Sequence, residues 1–384
     1  KYSVTPIYIV LLLFASIYVS CKKENPVTTV VTPPPPPPPP TSYNLQLVPF
    51  GTLSQARYYM LAATARNKIL FAGGSYFVPN CYYDSTDNTW YNCENNSTKV
   101  DIYDTSTLSW STVELPGSTY GIWSRAITVG NKVFFAGGYG NNSLDDSSRI
   151  DIYDASSNSW SFINSPTAIK EKAVASLGNK IFFAGWNNGP GDPARVDIYD
   201  NSSNSWSTAS LSSARELLAA TSVGNKILFA GGTGVNNGIS YSALVDIYDV
   251  LTNTWSVSTL SSPRILPVAI ALGNKAFFAG GDGGSNYPVD IYDITTQNWS
   301  NHSLSSGATE FFAAVASSNK ILFFRDTDKV DVYDSFTNSW SLANLNQRMY
   351  RTAVIAVGNQ IYVAGGNPDD GINYQTNQVW KLEF

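Results

Sequence analysis

The chain has 384 residues with a net charge of −5, and only 14% are charged, against roughly 25% in ordinary soluble proteins. A single His among them excludes a multi-histidine metal site, and any Ser-His-Asp triad would have to use His302. The acidic balance, with no basic cluster outside the N-terminal tail, argues against nucleic acid as a partner, while 43% hydrophobic residues suffice for a large core.

Ile7 to Val19 is an almost unbroken apolar run followed by Ser20 and Cys21. It is too short to span a bilayer, which takes about 20 residues, and suits the apolar centre of a secretory signal peptide. Tyr18-Val19-Ser20-Cys21 resembles a bacterial lipoprotein signal, in which the Cys is lipidated and becomes the new N-terminus. Eight prolines, Pro33 to Pro40, follow. In the polyproline II form they make a semi-rigid rod of roughly 25 Å. The expectation is a signal peptide over 1–20, a lipidated Cys21 with a proline-rich stalk over 21–42, and a folded body over 43–384. The lipid would be the only membrane contact. It would hold the protein in a bacterial cell envelope at the outer membrane, periplasmic or surface-exposed. Cys81 and Cys93 then remain as an even pair, which an oxidising compartment favours as a disulfide.

The body repeats one unit seven times. A Tyr-Asp pair precedes a Trp at constant spacing: Tyr103-Asp104 with Trp110, Tyr153-Asp154 with Trp160, Tyr199-Asp200 with Trp206, Tyr248-Asp249 with Trp255, Tyr292-Asp293 with Trp299, and Tyr333-Asp334 with Trp340. Upstream of each lies a segment like Asn67-Lys68-Ile69-Leu70-Phe71-Ala72-Gly73-Gly74, with counterparts starting at Asn131, Asn179, Asn225, Asn274, Asn319 and Asn359. A Gly-Asn pair between apolar runs predicts a two-residue hairpin turn. Four antiparallel strands per unit, with no helical period, predict an all-β fold, a seven-bladed β-propeller. The seventh unit lacks a fourth strand. Residues 43–48 are expected to supply it, because Tyr43 stands before Pro49 as Trp110 stands before Pro116.

The glycine pair, the Tyr-Asp and the Trp together resemble the kelch repeat over essentially all of residues 43–384. Two copies depart from it: Gly185-Trp186 in the third, and Phe324-Arg325-Asp326 in the sixth. Among kelch-like enzymes, galactose oxidase needs copper-binding histidines and a Tyr-Cys crosslink, which one His and two paired cysteines exclude. Bacterial sialate mutarotases use acid and base residues at the channel mouth, where Glu216, Glu310 and Arg215 are candidates.

The repeated Tyr and Trp are expected to pack blade on blade, and the Asp after each Tyr to form a turn. Function is expected where the repeats differ, in the loops between second and third strands: 75–99, 139–149, 187–195, 233–244, 282–288 and 367–376, with only 327–329 in the sixth copy. Tyr76, Tyr82, Tyr139, Trp186, Tyr241, Tyr287 and Tyr374 are candidate ligand platforms on that face, with Tyr120 and Trp123 on the same side. Arg57, Arg215 and Arg264 stand at equivalent positions ten before the hairpin Asn, expected at the start of the first, innermost strand near the channel mouth on the variable face. They either hold a carboxylate or acidic sugar, or pair locally. Arg351 lies nearby in register. Between Gly74 and Val100, Tyr83-Asp84 with Trp90 predicts an extra hairpin over the binding face. His302 is expected in a solvated loop. Asp145-Asp146 and Asp369-Asp370-Gly371 lack regular calcium-ligand spacing. No residue set points to a cofactor, a resident metal or a catalytic group. The expected function is a monomeric binding module for a glycan or protein partner, with a sugar-modifying enzyme as the alternative.

Overall fold

The computed structural model describes residues 42–78, 82–84, 89–91, 94–117, 124–137, 148–169, 172–185, 194–234, 240–282, 288–304, 311–325, 327–368 and 375–383. All belong to one compact unit, Pro40–Phe384. Among them every element is a strand, and the strands assemble into repeated four-strand antiparallel sheets. In the first repeat Leu61–Ala65, Lys68–Ala72, Lys99–Asp104 and Ser109–Glu114 pair in chain order. Repeats two to six follow the same order, from Ser124–Val129 to Ser339–Leu345.

The local code explains this regularity. The two-residue turn between first and second strands needs a positive φ, and Gly130, Gly178, Gly224, Gly273 and Gly358 supply it at 55–60°. Where that Gly is missing, Arg66 and Ser318 adopt the same left-handed conformation. The turn between third and fourth strands is tied by the Asp after each Tyr. Asp154 Oδ1 accepts the Ser156 N–H at 2.8 Å, and Asp200, Asp249, Asp293 and Asp334 repeat the contact. The two turns sit side by side, since Thr105 N–H donates to Asn67 O and Ala155 N–H to Asn131 O.

Asp154, Asp200, Asp249 and Asp334 titrate below the ordinary value of 3.8. A Lys226 hydrogen bond leads in drawing Asp249 down to about 2, and Lys320 does the same for Asp334. A depressed folded-state pKa gives stability that is complete above the unfolded value and lost as pH falls through the folded one. The melting temperature should therefore hold above about pH 4 and drop toward pH 2. Asp249→Asn with Asp334→Asn should make that acid limb shallower, and an unchanged limb would count against these contacts.

The second strands are almost wholly buried, as in Ile227-Leu228-Phe229-Ala230, because they are covered on both faces. Among the described residues seven core clusters form, each between consecutive repeats. The last joins Ala353, Tyr362 and Val379 of the seventh repeat to Ile69, Phe71 and Tyr103 of the first. The first strands likewise neighbour one another in sequence, and Ala353–Val357 returns to Leu61–Ala65. This arrangement is consistent with a β-propeller. The repeated Tyr and Trp pack as expected: Tyr103 and Trp110 face each other across their strands at 5.1 Å between ring centroids, and Phe182 meets Tyr248 of the next repeat at 5.5 Å.

The N-terminal strand differs from expectation. It runs from Ser42 to Thr52, and its outer-strand portion in repeat seven is Gln46–Thr52, not 43–48. Leu47 stands opposite Leu382, in the place that Trp110 holds opposite Tyr103. Residues Ser42–Leu45 instead pair in parallel with Leu342–Leu345 of repeat six. The anchor is the alternation of buried Leu45 and Leu47, whereas Tyr43 is only partly buried against the same core. The strand joins repeats six and seven into one eight-stranded sheet.

His302 also corrects its expectation. It ends the fourth strand of repeat five and stacks on Trp340 of repeat six, with centroids 4.6 Å apart and planes 2° apart. Burial lowers its pKa, so it is held as a neutral packing group.

Candidate binding site at the starts of the first strands

Opposite the short turns, in repeats one, four, five and seven the segment before the first strand meets the loop after the glycine pair. Tyr58 bridges Ser75, Ile265 bridges Asp282 and Tyr350 bridges Asn367. In repeat four this contact grows into a small sheet, with Arg215–Glu216 on Thr233–Gly234 and Thr233–Gly234 on Ser240–Tyr241. In repeat one the insertion forms the predicted hairpin in two steps, Ser75–Phe77 on Glu94–Asn96 and Tyr82–Asp84 on Thr89–Tyr91. The Gln375 side chain of repeat seven grips it, accepting from Phe77 N–H at 2.9 Å and donating to Phe77 O.

Arg57, Arg215 and Arg264 lie under this face, and each pairs locally. Their Nη2 atoms ion-pair with Asp101, Asp246 and Asp290 of the third strands. Arg57 Nη1 also donates to Gly73 O at 2.8 Å and Lys99 O at 2.6 Å, a pattern repeated by Arg215 on Gly231 O and Leu244 O. Burial pulls the Arg57 and Arg215 pKa values down, and the facing aspartates oppose it. The same carboxylates accept the backbone N–H of Ser54, Ser212 and Ser261, which explains the recurring Leu-Ser before these arginines. Of the two expectations for this trio, local pairing is what the structure contains.

The buried Asp of the third strand went unnoticed as a class in the sequence. Where the aligned Arg is missing, another cation reaches it. Arg149 meets Asp151 in repeat two, Lys172 and Arg195 meet Asp197 in repeat three, and Arg325 meets Asp331 in repeat six. The departure at Phe324-Arg325 is thereby explained, since Arg325 stands where a glycine stands elsewhere and brings the missing charge. For Asp331 burial dominates and raises its pKa against Arg325. In repeat seven both partners change together: Met349 takes the Arg position and Trp380 the Asp position, inside one core cluster.

The glycine pair serves neighbouring repeats. A Cβ on Gly365 would lie 2.4 Å from Arg57 O, and Gly366 N–H donates to that same oxygen at 2.8 Å. Gly231 and Gly232 receive Arg264 of the next repeat the same way.

Two residues beyond the aligned arginines, Tyr59, Leu217, Leu266 and Arg351 all adopt positive φ, between 52° and 56°. Such left-handed conformations are uncommon for residues of this kind and concentrate at functional positions. The Tyr59 N–H donates to Arg351 O at 3.0 Å, and the Leu266 N–H to Leu217 O at 2.9 Å. Neighbouring repeats are thus laced together at this level. All four side chains are half-buried. Around Arg351 the groups are aromatic. Its guanidinium lies over Tyr350 at 4.6 Å, Tyr59 at 4.7 Å and Tyr58 at 5.7 Å. Tyr58 stacks on Phe77 of the insertion at 5.2 Å.

Of the predicted platforms, Tyr76 and Tyr241 are half-buried on this face, in the hairpins of repeats one and four. Tyr139, Trp186, Tyr287 and Tyr374 lie outside the described residues, as do Cys21, Cys81 and Cys93, Trp123 and Glu310. Glu216 is half-buried in its short strand. Tyr59, Tyr350, Leu217 and Leu266 escaped notice in the sequence. The signal for Tyr59, Leu217 and Leu266 was the position eight before the hairpin Asn, visible only once the left-handed backbone is known. No group of three or more metal-ligating side chains occurs among the described residues. No protein-family model matches the chain, and no curated protein matches it.

Proposed function

We propose that the protein is a seven-bladed, kelch-type propeller, lipid-anchored through Cys21 and raised on its proline stalk, that binds a glycan on the face bearing the variable loops. The observation that supports this reading most is the run of half-buried side chains at left-handed positions, Tyr59, Leu217, Leu266 and Arg351, beside Tyr76 and Tyr241. A rigid scaffold that holds strained residues toward one face is suited to recognition. A hydrophilic ligand is favoured over an apolar protein surface. The large exposed hydrophobics among the described residues, Val48, Leu108, Phe162, Leu251, Val257 and Phe336, all lie on outer strands or on the short turns of the other face. Tyrosine faces with neighbouring amides suit sugar rings, whose C–H faces stack while their hydroxyls hydrogen-bond.

A glycan array and a pull-down with the soluble unit, residues 41–384, test this. Binding is expected on the array. Alanine at Tyr76, Tyr139, Trp186 and Tyr287 together should abolish it with little change in melting temperature. Retained binding in that variant would place the ligand elsewhere, and protein capture without any glycan signal would favour a protein partner.

A further inference from the structure

Resting on the glycan reading above, we infer that Arg351 is the anchor for a carboxylate on the ligand, which makes the preferred glycan an acidic one. Arg57, Arg215 and Arg264 each reach an aspartate and two carbonyl oxygens. Arg351 differs. Its guanidinium rests on tyrosine faces, and among the described residues no carboxylate or carbonyl accepts from it. Its Nε is buried without an acceptor, as are those of Arg57, Arg215 and Arg264, so what sets Arg351 apart is that its Nη groups have no carboxylate or carbonyl partner among the described residues. A guanidinium is a planar fork built for two parallel bonds to a carboxylate, and stacking on aromatic rings fixes its plane without using its N–H groups. The Tyr59 and Tyr350 faces therefore orient the fork and leave it open.

The surroundings point the same way. Arg351 occupies the left-handed position that brings Tyr59, Leu217 and Leu266 to the same face. Beside it, Asn367 Oδ1 and Thr352 Oγ1 are also buried without partners, and both residues are more than nine-tenths buried. Asn367 is held against Tyr350 by a backbone bridge, and Thr352 lies against Gly366. An unpaired buried donor beside unpaired buried acceptors is costly. The junction of the first and last repeats thus keeps unsatisfied polar groups of both kinds next to a preoriented cation, whereas the buried charges among the described residues are paired.

The test is binding of glucuronate and of its neutral counterpart glucose to the full chain, by calorimetry and ligand-observed NMR. Glucuronate should bind and glucose should bind at least about tenfold more weakly, the ratio of one charge-assisted contact. Arg351→Asn, which tolerates positive φ, should weaken glucuronate about tenfold or more and glucose by a smaller factor. Arg351→Lys keeps the charge without the fork and should fall between. Unchanged melting temperatures identify the loss as one of contact. Equal affinity for the two sugars, or glucuronate binding untouched in both variants, would overturn the inference. Neutral glycans bound on the array with no glucuronate binding would overturn it while leaving the variable face as the binding surface.

Discussion

Removing residues 42–52 should unfold the whole ring rather than fray one edge. That strand supplies buried Leu45 and Leu47 to the core between repeats six and seven. It also places Phe50 against Tyr103 at 4.9 Å and Tyr362 at 5.2 Å, so it touches the seam of first and last repeats. Losing a buried Leu side chain alone costs about 2–5 kcal/mol, and domains hold only about 5–15 kcal/mol in total. The deletion would also strip the ladder from Gln378–Glu383, leaving an open edge that invites aggregation. The truncated chain should show no cooperative melt, or should aggregate on purification. Leu47→Ala, a milder probe, should lower the unfolding free energy by about 2–5 kcal/mol. A truncated chain that melts within a few degrees of the full one would show that closure does not depend on this strand.

The second large effect concerns the buried ion pairs. Arg215→Met should cost about 3–5 kcal/mol, because Asp246 would remain charged and buried without its partner. Asp246→Leu alone should cost a similar amount by stranding the guanidinium. The two together should recover most of the loss, since a well-packed apolar pair can replace a buried charge pair. Repeat seven already carries that exchange in Met349 and Trp380. Urea unfolding of the four proteins in a double-mutant cycle measures the coupling. Additive losses would mean that the pair is two independent contacts.

What the sequence could reveal depended on periodicity. The hairpin glycines, the Tyr-Asp turns and the Tyr-Trp stacks recur at fixed spacing, and each proved to be local geometry: a positive φ, a carboxylate on turn N–H groups, a cross-strand ring pair. The register of the closing strand was misplaced because it has no repeat to align to. Tyr43 resembled the Trp position, while the burial of Leu45 and Leu47 decides the pairing. The arginines were visible as a class, but their aspartates were hidden inside a strand pattern that reads as ordinary alternation. Once a cation can arrive from Arg149, Lys172 or Arg325, no single spacing marks the pair. The residues around Arg351 were hidden for another reason. Their common feature is backbone conformation, and Tyr, Leu and Arg share no side-chain chemistry that would betray it.

The most direct measurement compares the two faces in one glycan-array experiment. One variant carries alanine at Tyr59, Tyr76, Tyr241 and Tyr350. The other carries serine at Leu108, Leu251 and Phe336, the exposed apolar residues of the short turns. Glycan binding should be lost in the first and intact in the second, with both variants folded. Binding that survives the tyrosine substitutions and disappears with the turn substitutions would contradict the assignment of the binding face.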